Sequence, residues 1–215
     1  MQSNAISSKM GRNFDFIQRA TMSLLSALKG GGLRSPKSIR HKGKTLPEIL
    51  AAHAKFVRGE ESGARADLSG ADLSRANLAG ADLALVNFQG ANLDGANLRE
   101  ARLSSADLSQ SRLRRADLRR ADLTETNFNH ADLTGAQIGG AELFRANLRD
   151  AVLREADLGV ANLRDADVQG ADFRGANLKA TILRETKLDG ANLSGVDLST
   201  TLLPRGYHPP GAAKN

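Results

Sequence analysis

Ala66-Asp67-Leu68-Ser69-Gly70 is followed by Ala71-Asp72-Leu73-Ser74-Arg75 and then by Ala76-Asn77-Leu78-Ala79-Gly80. The pattern runs without a gap to Thr201-Leu202-Leu203-Pro204-Arg205, giving 28 five-residue units centred on Leu68 through Leu203. The centre is Leu in 23 of the 28 and otherwise Phe88, Phe128, Ile138, Val168 or Phe173. Two residues earlier Ala stands in 21 units, and the residue between is Asp or Asn in 20. A period of five fits neither a helix at 3.6 nor a long strand at 2. It fits a short extended piece followed by a corner. In extended chain, Ala and Leu two residues apart point the same way, and the Asp or Asn between them points to solvent. The last two residues of each unit turn the corner, where Gly tolerates unusual dihedrals and Asp or Asn bonds nearby backbone. Leu and Ala therefore line an interior on every side of a coil, and stacked coils place Leu on Leu.

These units, such as Ala71-Asp72-Leu73, Ala91-Asn92-Leu93 and Ala191-Asn192-Leu193, resemble the pentapeptide-repeat family, whose consensus is A-[DN]-L-x-x. The resemblance covers about two-thirds of the chain. It implies an all-β solenoid, a right-handed quadrilateral β-helix with four pentapeptides per coil and about seven coils. At ~4.8 Å per coil the rod is roughly 34 Å long. Residues 20 apart then stack on one face, and one interior ladder is Leu68, Phe88, Leu108, Phe128, Leu148, Val168 and Leu188.

Composition agrees with a narrow interior. Aromatic residues make up only 4 % of the 215 and there is no Trp, while 40 % of residues are apolar, so the chain is neither aromatic-cored nor disordered. The absence of Cys excludes disulfides and thiolate metal sites. No run of 18 apolar residues predicts a membrane span, and the N-terminus does not read as a signal peptide. The expected compartment is the cytoplasm. Of the net +6, residues 1–65 carry 12 Lys+Arg against 4 Asp+Glu, and residues 66–205 carry 17 against 20. The basicity belongs to the N-terminal segment.

Four parts follow. Residues 1–45 combine an amphipathic helix over 13–29 (Phe14, Ile17, Leu24, Leu25, Leu28) with a flexible basic linker over 30–45. Residues 46–65 contain a capping helix over 46–58, with Thr45 as N-cap and with Leu46, Ile49, Leu50, His53, Phe56 and Val57 on one face. Residues 66–205 are the repeat, and 206–215 a tail whose Pro209 and Pro210 cannot extend a ladder. Solenoid ends need such covers because they expose core and strand edge. At the far end Leu202, Leu203 and Tyr207 are the candidates.

On the outer surface, Ser105, Glu125, Arg145, Asp165, Glu185 and Arg205 stack as an expected ion-pair ladder, broken where Glu185 follows Asp165. Arg112, Arg114, Arg115, Arg119 and Arg120 form a basic patch. It reads either as a phosphate site or as a solvated face offset by Asp94 and Glu100. Leu85, Phe144, Ile182 and Leu202 are apolar at outward positions on one side of the coil. They suit either an intramolecular cover, by the N-terminal helix or the tail, or a partner or self-association surface.

Nothing in the sequence composes an active site. The four His (His41, His53, His130, His208) fall on different segments, the many Asp are the repeat's own outward position, and no phosphate-cradling Gly motif is present. No catalytic residue, cofactor or metal is expected. The leading reading is a non-catalytic interaction scaffold for an unidentified protein partner. The resemblance adds a second, because some pentapeptide-repeat proteins imitate duplex DNA, bind DNA gyrase or another type II topoisomerase and protect it against inhibitors. The Arg-interrupted faces, the lack of loop insertions and the lack of a C-terminal dimerisation helix depart from that pattern. A third reading is attachment to a membrane surface or nucleic acid through residues 1–45.

Overall fold

The computed structural model describes residues 32–207. The expected helix over 13–29, His208 and the tail prolines lie outside them. From Asp67 onward the chain forms a β-solenoid. Single parallel bridges join residues 20 apart, from Asp67↔Asn87 to Ile182↔Leu202, so one coil is four pentapeptides.

Two ladder bonds recur at each rung. Leu108 N–H donates to Asn127 O at 2.7 Å, and Asn127 N–H donates to Ala106 O at 3.0 Å. The turn is closed by the following Ala-position N–H, as in Ser111 to Leu108 O at 3.2 Å. The corner N–H reaches the next coil, as in Gln110 to Asn129 O at 2.9 Å. Most backbone polar groups of the repeat are thereby satisfied by the repeat itself.

The interior is filled as the two-residue alternation requires. Leu68, Phe88, Leu108, Phe128, Leu148 and Val168 are fully buried on one face, and the other three faces match them. Leu188, the last of that ladder, is only half-buried, and so are Leu193, Val196, Leu198 and Leu203. The final coil also loosens: no bridge joins Asn177 to Asp197, and Ala180 N–H turns to Thr200 Oγ1 at 3.1 Å instead.

The segment before the repeat corrects one expectation. From Gly32 on it is not a flexible linker. Arg34 forms a parallel bridge with Ala76, with Arg34 N–H to Arg75 O at 2.6 Å and Asn77 N–H to Arg34 O at 3.1 Å. The segment thus adds a rung beneath the first coil. A 3-10 turn at Pro36–Ser38 follows, then a hairpin of β1 (Arg40–His41) and β2 (Lys44–Thr45). Its Lys42-Gly43 loop has positive φ at both residues, the turn that suits the twist of a hairpin. That two-residue signal was hidden inside a run read as basic linker.

Helix α1 (Leu46–Val57) closes the N-terminal end of the core. The Glu48 carboxylate reaches back to accept Thr45 N–H and Oγ1–H, each at 2.7 Å, which holds its carboxyl below the usual range. Leu46 and His53 are buried, and Ile49 and Leu50 pack on the core. Phe56 and Val57, assigned to the same face, are 38 % and 41 % exposed. They lie on the last turn of the helix.

Candidate functional site

The outer surface has a grammar that begins with the Asp or Asn of each unit. Its Oδ1 accepts the N–H two residues on, as in Asp107 to Ser109 at 3.0 Å and Asp132 to Thr134 at 3.0 Å. The same oxygen often receives the amide of the next coil: Asn127 Nδ2 donates to Asp107 Oδ1 at 3.0 Å, and Asn147 Nδ2 to Asn127 Oδ1 at 3.0 Å. These side chains are structural cement, and their acidity is spent on turns and ladders.

Arginines attach to this frame diagonally. Arg114 Nε meets Asp132 Oδ2 at 2.6 Å, Arg149 Nη1 meets Asp167 Oδ2 at 3.1 Å, and Arg154 Nε meets Asp172 Oδ2 at 2.5 Å. In each the partner is 18 residues ahead, one coil up and one outward position back. Straight stacking at 20 pairs Arg102 with Asp82 at 2.9 Å and Lys187 with Asp167 at 3.7 Å, but it makes no ion pair within the expected ladder of Ser105, Glu125, Arg145, Asp165, Glu185 and Arg205. Ser105 Oγ donates to Glu125 at 3.4 Å, Glu185 pairs with Arg164 at 2.9 Å, and the Arg145 guanidinium lies 4.8 Å from the Phe144 ring centre.

The five-arginine patch divides. Arg112 pairs with Asp94 at 3.0 Å, Arg114 with Asp132, and Arg119 with Asp117 through bonds of 2.8 and 2.6 Å. The guanidinium holds the Asp117 carboxyl below its ordinary value. Glu100 pairs with Arg99 at 3.3 Å and not with Arg120. Arg115 and Arg120 make no ion pair among the described residues. Both sit at left-handed corners with φ of 56° and 57°. A Cβ on the corner glycine one coil later, Gly135 or Gly140, would lie 3.5 or 3.8 Å from their Cγ atoms, so the arginine stems run across glycine corners.

The four apolar residues do not form one patch. Leu85, 41 % exposed, stands at the N-terminal end, where Arg65 Nε donates to its carbonyl at 2.5 Å. Phe144 lies half-buried beside Arg145. Ile182 and Leu202 are bridge partners, and Leu202 is 43 % exposed, so it does not cover the last coil. Next to that pair is a groove of about 590 Å³ lined by Arg164, Arg184, Glu185, Leu203, Pro204 and Arg205. The sequence pattern singled out Leu202, and Arg205 as a member of the expected ladder, but not Arg164 and Arg184, which stack 20 residues apart at the position after the central Leu.

At the other end the cap is held by two devices that the pattern did not single out. The buried His53 ring donates from Nε2 to Ala84 O at 2.8 Å and accepts Ala66 N–H on Nδ1 at 3.2 Å. That arrangement requires the neutral ring, and burial lowers its pKa. Lys42 pairs with Asp67, and Arg34 Nη1 with Asp72 Oδ2 at 2.9 Å. The Lys42 ammonium, with Ser69, drives the Asp67 carboxyl far below the usual carboxylate range. Part of the basic N-terminal charge is therefore used within the molecule. Among the described residues no group of His, Asp or Glu is arranged to hold a metal, and no helix is long and apolar enough to cross a membrane.

Against known proteins, the family described as pentapeptide repeats matches in eight copies over residues 66–104, 101–137, 141–179 and 171–203. Among solved structures, alr5209, a pentapeptide repeat protein from Nostoc Pcc 7120, is 41 % identical over 44 % of this chain and 78 % of its own, with a TM-score of 0.41. A pentapeptide repeat protein from the Arabidopsis thaliana thylakoid lumen is 32 % identical over 46 % of this chain and 63 % of its own, with a TM-score of 0.32. QnrB1, a plasmid-mediated fluoroquinolone resistance protein, is 23 % identical over 66 % and 78 %, with a TM-score of 0.39. No curated protein matches the chain.

Proposed function

This chain belongs to the pentapeptide-repeat family, and we propose that it works as a rigid, non-catalytic scaffold that captures a protein partner on one face of the rod. The reading includes a right-handed quadrilateral helix of about seven coils, with residues 32–65 as its N-terminal cover. One observation carries it. The interior is filled with Leu, Phe and Ala, so the outward side chains are the chemistry on offer, and a hydrogen-bonded ladder holds them at a fixed 20-residue stagger. Such a grid suits recognition of another surface more than turnover of a small molecule. Within it, Phe144, Ile182 and Leu202 stand at positions that other coils fill mainly with polar groups. A fold leaves the partner open.

Affinity capture with full-length protein tests this. Phe144→Glu and Ile182→Glu keep the ladder, since outward positions tolerate Asp and Glu elsewhere. Either substitution is expected to cut recovery of the specific partner by tenfold or more, an effect of about 1.4 kcal/mol. Recovery unchanged in both, with the rod intact by circular dichroism, contradicts the reading. Recovery of topoisomerase subunits would favour DNA mimicry, which the many carboxylates already paired with arginine or backbone N–H groups disfavour.

A further inference from the structure

We propose that the C-terminal edge of the rod beside the basic groove accepts an extended, acidic segment of a partner protein as an added β-rung. The inference deepens the scaffold reading and rests on it. Every rung on this face is built alike: Leu163 N–H donates to Ile182 O at 2.8 Å, and Ile182 N–H donates to Ala161 O at 2.9 Å. The last rung repeats it, with Leu183 N–H to Leu202 O at 2.8 Å and Leu202 N–H to Thr181 O at 2.9 Å. One step further, Leu203 N–H and Thr201 C=O are the pair that would meet the next rung, and no described residue meets them. An open edge of this kind is what strand addition uses, with main-chain bonds for affinity and side-chain sites for specificity.

Charge at the groove selects the strand. Arg164 is held by Glu185 at 2.9 Å, but Arg184 and Arg205 make no ion pair among the described residues. Elsewhere on the rod Arg112, Arg114, Arg149 and Arg154 each pair with an aspartate 18 residues away. The groove therefore offers two free guanidinium groups beside the open edge, with Leu203 and Pro204 in its wall and Leu202 on the edge itself. Carboxylates on the incoming strand would meet the arginines as aspartates do within the rod, and its apolar side chains would extend the Ile182–Leu202 stack. A basic strand would be repelled.

The probe is a fluorescein-labelled peptide alternating Glu with Val, compared with its Lys–Val counterpart, titrated onto the full chain by fluorescence anisotropy. Saturable binding of the Glu–Val peptide alone is expected, weakening as salt rises. The double variant Arg184→Glu with Arg205→Glu should weaken it about tenfold or more. Leu203→Pro, which removes the free N–H and leaves both arginines, should weaken it as well, with circular dichroism to verify the rod. The proposal is overturned if the Glu–Val peptide does not bind, if both peptides bind alike, or if binding ignores the arginine variant. It is also overturned if duplex DNA or anionic vesicles bind through Arg184 and Arg205 while the peptide does not. Binding seen only after residues 208–215 are exchanged for Gly and Ser would assign the edge to the chain's own tail. Failure of the peptide with Ile182-dependent capture intact removes this inference and leaves the scaffold reading standing.

Discussion

At the scale of single residues, the consensus positions behave as the alternation dictates, and the departures carry the new information. Four Thr occupy the small interior position. Thr126, Thr181, Thr186 and Thr201 each donate to the carbonyl 23 residues earlier, at 2.7–2.9 Å. Val86 fills the same position elsewhere, so Thr126→Val fits and loses only the bond, for an expected cost of about 1 kcal/mol in urea unfolding. Val160 is the opposite case, a β-branched residue 65 % exposed at a left-handed corner with φ 54°. Relief of strain exceeds the entropy cost of glycine there, so Val160→Gly should stabilise the rod by roughly 0.5–1 kcal/mol. His53 sets the pH response of the cap. Its folded pKa is lowered, so the unfolded state binds more protons below about pH 6.5. Its contribution is full above that pH and is lost as pH falls toward the folded value. Protection factors in α1, taken relative to the intrinsic exchange rate at each pH, are expected to fall from pH 7 to pH 5, and His53→Ala, which orphans two backbone groups, should cost about 2–4 kcal/mol.

At the scale of elements, the repeat was legible in the sequence because five-residue periodicity has one simple physical solution, and the cap helix because Thr45, Pro47 and Glu48 mark its start. The rung at Arg34 was not legible. It has no repeat around it, and its pairing with Ala76 depends on the chain returning across more than 30 residues. His53 was likewise read only as one member of an apolar face, since nothing in sequence foretells which carbonyl and N–H will flank a ring. Charge partners failed for a geometric reason: stacking at 20 alone was assumed, whereas Arg114, Arg149 and Arg154 reach diagonally to residues 18 ahead and Arg119 and Arg174 fold back on the aspartate two places earlier. The Arg34 rung has a consequence for experiments. Removing residues 1–45 strips a strand and the Lys42–Asp67 pair as well as any targeting element. Such a truncation should speed exchange at Asn77, whose N–H donates to Arg34 O at 3.1 Å. Lys42→Glu, by contrast, removes an exposed pair and should cost under about 1 kcal/mol.

Across the whole molecule, a stack of near-identical coils is held by neighbour contacts, so stability is local and the ends are the weak points. The N-terminal end has a helix, a hairpin and an extra rung over it. At the other end Leu188, Leu193 and Leu198 are half-buried and one bridge is missing, so fraying is expected to begin there. The most direct test of the ladder, on which the scaffold reading depends, is native-state hydrogen exchange resolved by residue along 66–205. From Val86 to Gly170 four amides in each unit bond to backbone, while the residue after the central position mostly relies on the Asp or Asn oxygen two places earlier. Where that residue is Arg102, Gln137 or Val152, the amides of Ser104, Gly139 and Arg154 lack even this acceptor. The account predicts protection with a period of five, slowest in the middle coils, with one fast amide per unit and Ser104, Gly139 and Arg154 among the fastest. Protection with a helical period, or uniform exchange along the repeat, would contradict it.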